Sequence, residues 1–446
     1  MRTLLLILSL FVSSSAFAQK FFEDEAKKIP TYRGQHALCY KEEDSDASLG
    51  TNTDGPVRLA STSKLLTSLW AVSKLGPDYR YSILAHYNPT TQEIYLEGNG
   101  DPYFSRLKAY ALMSELIRKN ITTVKKLYFA SNLDFNRDVD CGTSYTECEQ
   151  AAIAEWTTHG GIPRDTQIKG LQSALNPAKW VDAEKNHYLK LIPKAQKAGF
   201  QMLPMAKVKF KVEEVVHAAS NPFKDAPGVI VYQMKSAPIY KYLKHMNVNS
   251  MNWTADKIFE GLGGAEEWKT FATKVLKLDP STFEINNGSG LNIGADYPNR
   301  KDNFSTCNNM IAGLAIMDKA LVQQGGKYTL EDIMMVSGID EGTLSGVYAG
   351  EYLSRSVVAK TGTLKNAATL AGFVRTQKGI VFFGLFFQTL SISQARNARD
   401  ILVQRLIKEY GGPAKTNWKS AGPFLSFDAQ SVLTEVGTAQ HSTNLN

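Results

Sequence analysis

The hydrophobic pattern changes period several times along the chain. Residues 34–60 alternate apolar and polar stretches with glycine turns, which predicts short strands. From Ser61 to Leu75, STSKLLTSLWAVSKL places Leu65, Leu66, Leu69, Trp70 and Val72 at helical spacing, and Gly76-Pro77 ends the run. Residues 80–150 return to short strands at Tyr81–His86, Glu93–Glu97 and Lys126–Phe129, with one helix near Leu107–Lys119. The stretch 150–234 holds Trp156, Trp180 and several prolines; it reads as loop-rich and ends in strands near Ala206–Glu213 and Gly228–Met234. After Ser236-Ala237-Pro238 the spacing is helical through Ile239–Met246 and Ser250–Leu262, and again near Asn309–Gln324. Val357–Thr361, Ala368–Thr376 and Gly379–Leu390 read as strands, the last two joined by the turn Gln377-Lys378-Gly379. A long amphipathic helix follows, with Ile392, Ala395, Ala398, Leu402, Leu406 and Ile407 on its inner side.

Strands at both ends of the chain with helices between predict an α/β (α+β) fold: one antiparallel sheet completed by both halves and flanked by helices. The length exceeds what one core usually serves, so two domains are expected. The pattern assigns 19–82 and 235–446 to one discontinuous domain and 83–234 to an inserted, mainly-β and loop-rich second domain. The polar tail from Ala421 is expected to extend over the surface. At the other end, Met1-Arg2, the run LLLILSLFV and Ala16-Phe17-Ala18 have the form of a secretory signal cleaved after Ala18. That run is short for a membrane span. A periplasmic or secreted protein, soluble and without a transmembrane anchor, is expected.

Charge and cysteine content narrow the chemistry. The net charge is +7, falling by one with loss of Arg2, and the basic residues are scattered. This suits contact with anionic cell-wall polymer and argues against nucleic acid as a partner. In an oxidising compartment Cys141 and Cys148 are placed to close a small loop, the alternative being two free thiols; Cys39 and Cys307 lie far apart in sequence. No Cys-x-x-Cys or His-Glu-x-x-His is present, so a metal site has no support. No Gly-x-Ser-x-Gly exists either, which argues against a Ser-His-Asp hydrolase.

Three short motifs carry candidate chemistry. Ser61-Thr62-Ser63-Lys64 puts a hydroxyl and an amine three residues apart at a helix start, on one face and within reach of each other. A desolvated lysine loses its proton more easily and could accept the serine's. The spacing alone is weak: a chain of this composition should hold about two such matches. A second, Ser105–Lys108, reads as surface, and Ser61 could equally be a helix cap with Lys64 in solvent. Ser250-Met251-Asn252 offers a hydroxyl and a carboxamide at another helix start, or again only a capping serine. Lys360-Thr361-Gly362-Thr363, on an expected edge strand, combines a cation and two hydroxyls suited to a carboxylate, with Gly362 admitting a ligand backbone. The alternative there is a strand end with an exposed lysine.

In this order, Ser-x-x-Lys, Ser-x-Asn and Lys-Thr-Gly are the signatures of penicillin-recognising serine enzymes. The surrounding segments RLASTSKLLTSLWAV, EGNGDPYF (97–104), MKSAPIYKYLKHMNVNSMNWTAD (234–256), INNGSGL (285–291) and AKTGTLKNAATLAGFV (359–374) resemble the DacB-type class C penicillin-binding proteins, the D-Ala-D-Ala carboxypeptidase/endopeptidase family. The resemblance implies a transpeptidase-like penicillin-binding domain. It implies Ser61 as acylated nucleophile, Lys64 as its base, Ser250 as proton relay and Asn252 as holder of the substrate amide. It likewise implies Lys360, Thr361, Gly362 and Thr363 as the carboxylate site, with the N–H groups of Ser61 and Thr363 as oxyanion hole. The implied substrates are peptidoglycan stem peptides, with β-lactam antibiotics as covalent inhibitors and no cofactor. Two departures stand out. The interval from Ser61 to Ser250 is short for members with two inserted domains, which implies loss of a third domain and a more open site. Asn292 follows Gly288-Ser289-Gly290-Leu291 where members usually have serine, and a polar stretch from Gly294 to Asn303 follows. A β-lactamase, and an inactive wall-binding protein of the same fold, are the rival readings.

Overall fold

The structure is a computed structural model that describes residues 19–45, 47–137, 162–224, 226–294, 300–420, 422, 424–430 and 432–438. The expected signal segment and the expected Cys141–Cys148 bridge lie outside the described residues. The chain forms two compact units, Met1–Pro77 with Leu243–Ser420, and Asp78–Tyr242 with Ala421–Asn446.

In chain order, the first unit opens with a helix at residues 19–27 (α1), strands β1 (Ala37–Glu42), β2 (Leu49–Thr51) and β3 (Val57–Arg58), and helix α2 (Ser63–Leu75). The second unit then runs through β4 (Ser82–Asn88), β5 (Glu93–Gly98), α3 (Arg106–Arg118), β6 (Thr123–Phe129), α4 (Arg164–Ala174), α5 (Asp182–Lys197), β7 (Lys211–His217) and β8 (Ile230–Lys235). Helix α6 (Ile239–Asn249) leads back to the first unit, with α7 (Asn252–Gly261), α8 (Gly264–Lys274), β9 (Phe283–Glu284), β10 (Phe304–Ser305) and α9 (Cys307–Gln323). The unit is completed by β11 (Met335–Val336), β12 (Val357–Leu364), β13 (Ala367–Thr376), β14 (Gly379–Gln388) and α10 (Ile392–Glu409); β15 (Thr434–Thr438) belongs to the second unit.

The main sheet of the first unit has the order β11-β12-β13-β14-β1-β2 and is antiparallel throughout. The chain's first strand thus pairs with its last long one, Ala37 opposite Phe386 and Glu42 opposite Val381, as the strand pattern at the two ends predicts. One face places Leu38, Tyr40, Leu370, Phe383 and Leu385 against Leu402, Leu406 and Ile407 of α10 and Phe22 of α1. The alternation is a strand period of two meeting a helical stripe. β14 is buried along eight of its ten residues, covered on both faces, which is why it reads as an unbroken apolar run. On the opposite face Cys39 of β1 is bonded to Cys307 of α9, with Cα atoms 6.0 Å apart. This bridge has no local sequence signal, because its cysteines are 268 residues apart.

The second unit holds the sheet β15-β8-β4-β5-β6-β7, in which β5, β6 and β7 are parallel neighbours and the other pairs antiparallel. Parallel pairs need long crossovers; α3 supplies the first, and α4 and α5 lie in the second. These two helices correct the expectation of a loop-rich stretch. Leu171, Ala174, Trp180, Tyr188, Leu191 and Ala195 turn inward at helical spacing, and Tyr110, Trp180 and Tyr188 meet at 5.1–5.3 Å between ring centroids. The strand expected near Ala206–Glu213 runs instead over Lys211–His217, after a 3-10 turn at Met205–Lys207. Helix α8 had no expectation.

The tail is also corrected. Leu425, Phe427, Val432 and Leu433 are buried in the second unit's core, and β15 adds a strand beside β8. The expected boundaries, 83–234 for the insertion with the tail in the other domain, therefore differ from the compact units. Ser105–Lys108 is not surface. Ser105 caps α3, while Lys108 is fully buried, paired with Asp101 and 3.2 Å from the Tyr242 hydroxyl. A buried lysine requires such a partner, since its desolvation otherwise costs several kcal/mol.

The disulfide closes a very long loop, so breaking it should be felt. Cys307→Ser is expected to destabilise the first unit by about 2–5 kcal/mol, read as a lower urea midpoint than oxidised wild type. A reductant should lower wild type similarly and leave the variant unmoved.

Candidate active site

The site is built within the first unit from four chain segments: the turn before α2, the α6–α7 junction, residues 288–290, and β12. Ser61 lies in a 3-10 turn, Ala60–Thr62, just ahead of α2 rather than inside it. Ala60 takes φ +49°, a left-handed conformation that costs a non-glycine residue on the order of 1–2 kcal/mol. Three hydrogen bonds hold the turn. The Leu59 carbonyl accepts from the Thr62 hydroxyl at 2.6 Å and the Thr369 hydroxyl at 2.9 Å, and the Leu59 N–H donates to Asn303 O at 3.0 Å.

One turn into α2, Lys64 is completely buried. Its Nζ is 3.1 Å from Ser61 Oγ, 2.8 Å from Asn252 Oδ1 and 2.8 Å from the Ser289 carbonyl. All three directions of the amine are therefore occupied, and the alternative of a solvated Lys64 is excluded. Burial pulls its pKa from the usual lysine range to about 7, the nearby Asp256 carboxylate opposing that fall.

Ser250 sits at the α6–α7 junction with φ +57°. The capping position of α7 belongs to Met251, so Ser250 is not a helix cap. Its Oγ instead accepts from Lys360 Nζ at 3.0 Å. Lys360 is completely buried, and its other bond goes to the Thr361 carbonyl at 2.7 Å. Desolvation, with repulsion from Lys64, holds its pKa well below the lysine range. The exposed lysine considered for this strand is thus ruled out.

β12 was expected at a sheet edge, and the structure refines this. β11 covers only Val358 and Ala359, leaving Lys360–Leu364 bordered on that side by no strand among the described residues. Ser61 occupies that side: a Cβ built on Gly362 would meet Ser61 N at 2.9 Å, Leu59 O at 3.0 Å and Thr369 Oγ1 at 2.2 Å. Only glycine lets the strand approach this closely. A cavity of about 430 Å³ opens here, lined by Ser61, Ser250, Thr361, Gly362, Thr363 and, further out, Arg396. Arg396 donates to Thr363 Oγ1 at 3.3 Å.

The structure therefore brings together all eight residues singled out: Ser61, Lys64, Ser250, Asn252, Lys360, Thr361, Gly362 and Thr363. Sequence reasoning assigned no role to Asp256, Ser289 or Arg396. Asp256 and Ser289 lay inside segments that carry the family resemblance, and only their position marks them. Among the described residues no group of acidic, histidine and cysteine side chains could hold a metal.

Gly362→Ala is expected to reduce acylation of Ser61 by a fluorescent penicillin by at least about tenfold, since a displacement of 1 Å at reacting atoms can cost 10²-fold. Band intensity against time, with an unchanged circular dichroism spectrum, checks this.

Comparison with known proteins agrees with this geometry. The D-Ala-D-Ala carboxypeptidase 3 (S13) family model matches residues 24–138 and 204–409. No curated protein sequence matches the chain. The predatory peptidoglycan endopeptidase Bd3459 of Bdellovibrio bacteriovorus is 31% identical, with a TM-score of 0.76 over 91% of this chain and 100% of that one. It has also been solved acylated by penicillin G, in complex with immunity protein Bd3460. The predatory endopeptidase Bd0816 of the same organism is 28% identical, with a TM-score of 0.75 over 89% of this chain and 99% of that one. Penicillin-binding protein 4 (dacB) of Haemophilus influenzae, 18% identical, shares the fold with a TM-score of 0.55 over 85% of this chain and 99% of that one. The chain belongs to the D-Ala-D-Ala carboxypeptidase 3 (S13) family.

Proposed function

We propose that this chain is a serine DD-peptidase of peptidoglycan, cleaving D-Ala-D-Ala ends or D-Ala-containing cross-bridges through an acyl-enzyme on Ser61. The observation that carries this reading is the 3.1 Å approach of Lys64 Nζ to Ser61 Oγ, with Lys64 held near neutrality by burial. In the neutral form Lys64 accepts the hydroxyl proton as Ser61 attacks the D-alanine carbonyl. Base assistance of this kind is worth roughly 10²–10⁴ in rate. The N–H groups of Ser61 and Thr363 receive the developing oxyanion, a role supported by the close approach of β12 at Gly362. Ser250, bonded to Lys360, gives its hydroxyl proton to the leaving nitrogen and is reprotonated by the Lys64 ammonium formed in the attack. Asn252 orients the substrate amide, and Lys360, Thr361 and Thr363 bind the carboxylate beside the scissile bond. Water then releases the acyl group. A β-lactam carries the same carbonyl and carboxylate and is trapped at Ser61, in keeping with the penicillin G-acylated state of Bd3459.

Likeness to Bd3459, a peptidoglycan endopeptidase, supports an internal bond such as the cross-bridge as the preferred substrate. A periplasmic or secreted location fits the pattern of residues 1–18 and the Cys39–Cys307 bridge, a bond of oxidising compartments. Among the described residues no helix is long and apolar enough to cross a membrane.

Wild type is expected to be labelled covalently by fluorescent penicillin and Ser61→Ala not at all; equal labelling, or none in either, overturns the assignment. Slow release of the label separates a peptidase from a β-lactamase. Because neutral Lys64 is the base, the acylation rate should rise with pH through about 7 and level off above it. Mass spectrometry of digested sacculi identifies the substrate. Loss of cross-linked dimers marks an endopeptidase, and pentapeptide falling to tetrapeptide marks a carboxypeptidase.

A further inference from the structure

The Gly288-Ser289-Gly290 turn is gripped from two sides. A Cβ on Gly288 would meet the Ala255 carbonyl of α7 at 2.2 Å, and one on Gly290, at φ +77°, would meet the Ala60 carbonyl at 1.9 Å. The turn is therefore wedged between α7 and the residue preceding the nucleophile. Its outer side is fixed by asparagines: Gly290 N–H donates to Asn287 Oδ1 at 2.8 Å, and Asn303 Nδ2 donates to Asn287 O at 2.8 Å. Ser289 itself is fully buried. Its carbonyl accepts from Lys64 at 2.8 Å, and its N–H donates to Asp256 Oδ1 at 2.7 Å.

Asp256 is only 3% exposed, and its second oxygen, Oδ2, is buried with no hydrogen-bond partner among the described residues. A buried carboxylate left half satisfied is costly, and a structural role alone would be served as well by asparagine. Burial raises the Asp256 carboxyl to about 6, and what opposes that rise is first electrostatic, Asp256 and Lys64 each favouring the charged form of the other, and then the hydrogen bonds from Ser289. The other charges acting on this pair are Glu260, one turn along α7, and Lys360 of β12.

Resting on the acyl-enzyme reading above, we propose that Asp256 is a positioning residue for the reaction: through the Ser289 peptide it sets the place of Lys64, and through its charge it sets the pH at which Lys64 becomes a base. One carboxylate does both because a single residue, Ser289, separates it from the amine, its N–H on one side and its C=O on the other. The charge also opposes desolvation, so that Lys64 can hold the serine proton after attack.

The test is the pH profile of acylation by a fluorescent penicillin. Asp256→Asn keeps an acceptor for the Ser289 N–H and removes the charge. With its charged form less favoured, Lys64 loses its proton at lower pH, so the acid limb should move down by on the order of one unit. Asp256→Ala removes both charge and acceptor and should in addition lower the plateau rate at least about tenfold. A purely structural residue would lower the plateau and leave the limb in place; an Asp256→Asn limb coincident with wild type overturns the proposal. If neither neutral variant folds by circular dichroism, Asp256→Glu decides. Moving the charge on a longer arm, it should shift the acid limb; a shifted limb supports the proposal, and a limb coincident with wild type overturns it whatever the plateau. Failure of wild type to acylate would instead sink the peptidase reading, so the two failures are distinguishable.

Discussion

The burial of Lys64 is the constraint on which the site depends. An ammonium moved out of water costs several kcal/mol even after relaxation, and the cost is tolerated only where acceptors are placed around it. Here three acceptors from three separate segments converge: Ser61 before α2, Asn252 at the start of α7, and the Ser289 carbonyl. Asp256 lies behind them and opposes the loss of charge. The balance leaves the amine close to its protonation midpoint at neutral pH, which is where a general base works best. Lys360 is equally buried but has neutral oxygens as partners, which fits a group that waits for an anion from the substrate.

Bringing so many polar groups together demands close packing of backbone, and three glycines permit it. Gly288, Gly290 and Gly362 each lie where a Cβ would collide with main-chain atoms of α7, the Ala60 residue or the Ser61 turn. Left-handed Ala60 and Ser250 are the strained counterparts, the first next to Ser61 and the second carrying the other hydroxyl itself. The sheet supplies rigidity for this. β12 is paired along its whole length with β13, which is in turn paired with β14, and the disulfide ties β1 to α9, the helix packed against α2. The nucleophile therefore stands on an element braced from below and crossed by a strand on one side.

Much of the scaffold was legible wherever burial is one-sided or nearly complete. The stripe Ala395, Ala398, Leu402, Leu406 and Ile407 shows its period because one face of α10 meets the core and the other meets water, whereas Leu65–Val72 and the β13–β14 hairpin, buried nearly all round, show as apolar runs beside glycine turns. The readings failed where that contrast is weak. α4 and α5 have low overall apolarity and carry Pro193 and Gly170 inside them, so their inward Leu171, Tyr188 and Leu191 were lost among polar neighbours. The tail is polar on average, yet four apolar side chains dock it into the second unit. Lys108 was read as surface because lysine usually is; its partner Asp101 is seven residues away and gives no periodic signal.

By itself, the sequence determined the chemistry available: a serine and lysine one helical turn apart, a second serine with its asparagine, and a lysine followed by hydroxyls around a glycine. Their order and surroundings also determined the family. Tertiary structure alone decided which of two Ser-x-x-Lys pairs came to lie at the cavity. Ser61 and Lys64 meet Asn252, Ser289 and the open side of β12, whereas Ser105 caps a helix and Lys108 is neutralised by Asp101. The physical reason is that local spacing sets which groups can reach each other. The charge state and reactivity of a lysine are set by what surrounds it once water is excluded, and those surroundings come from residues nearly 200 positions away.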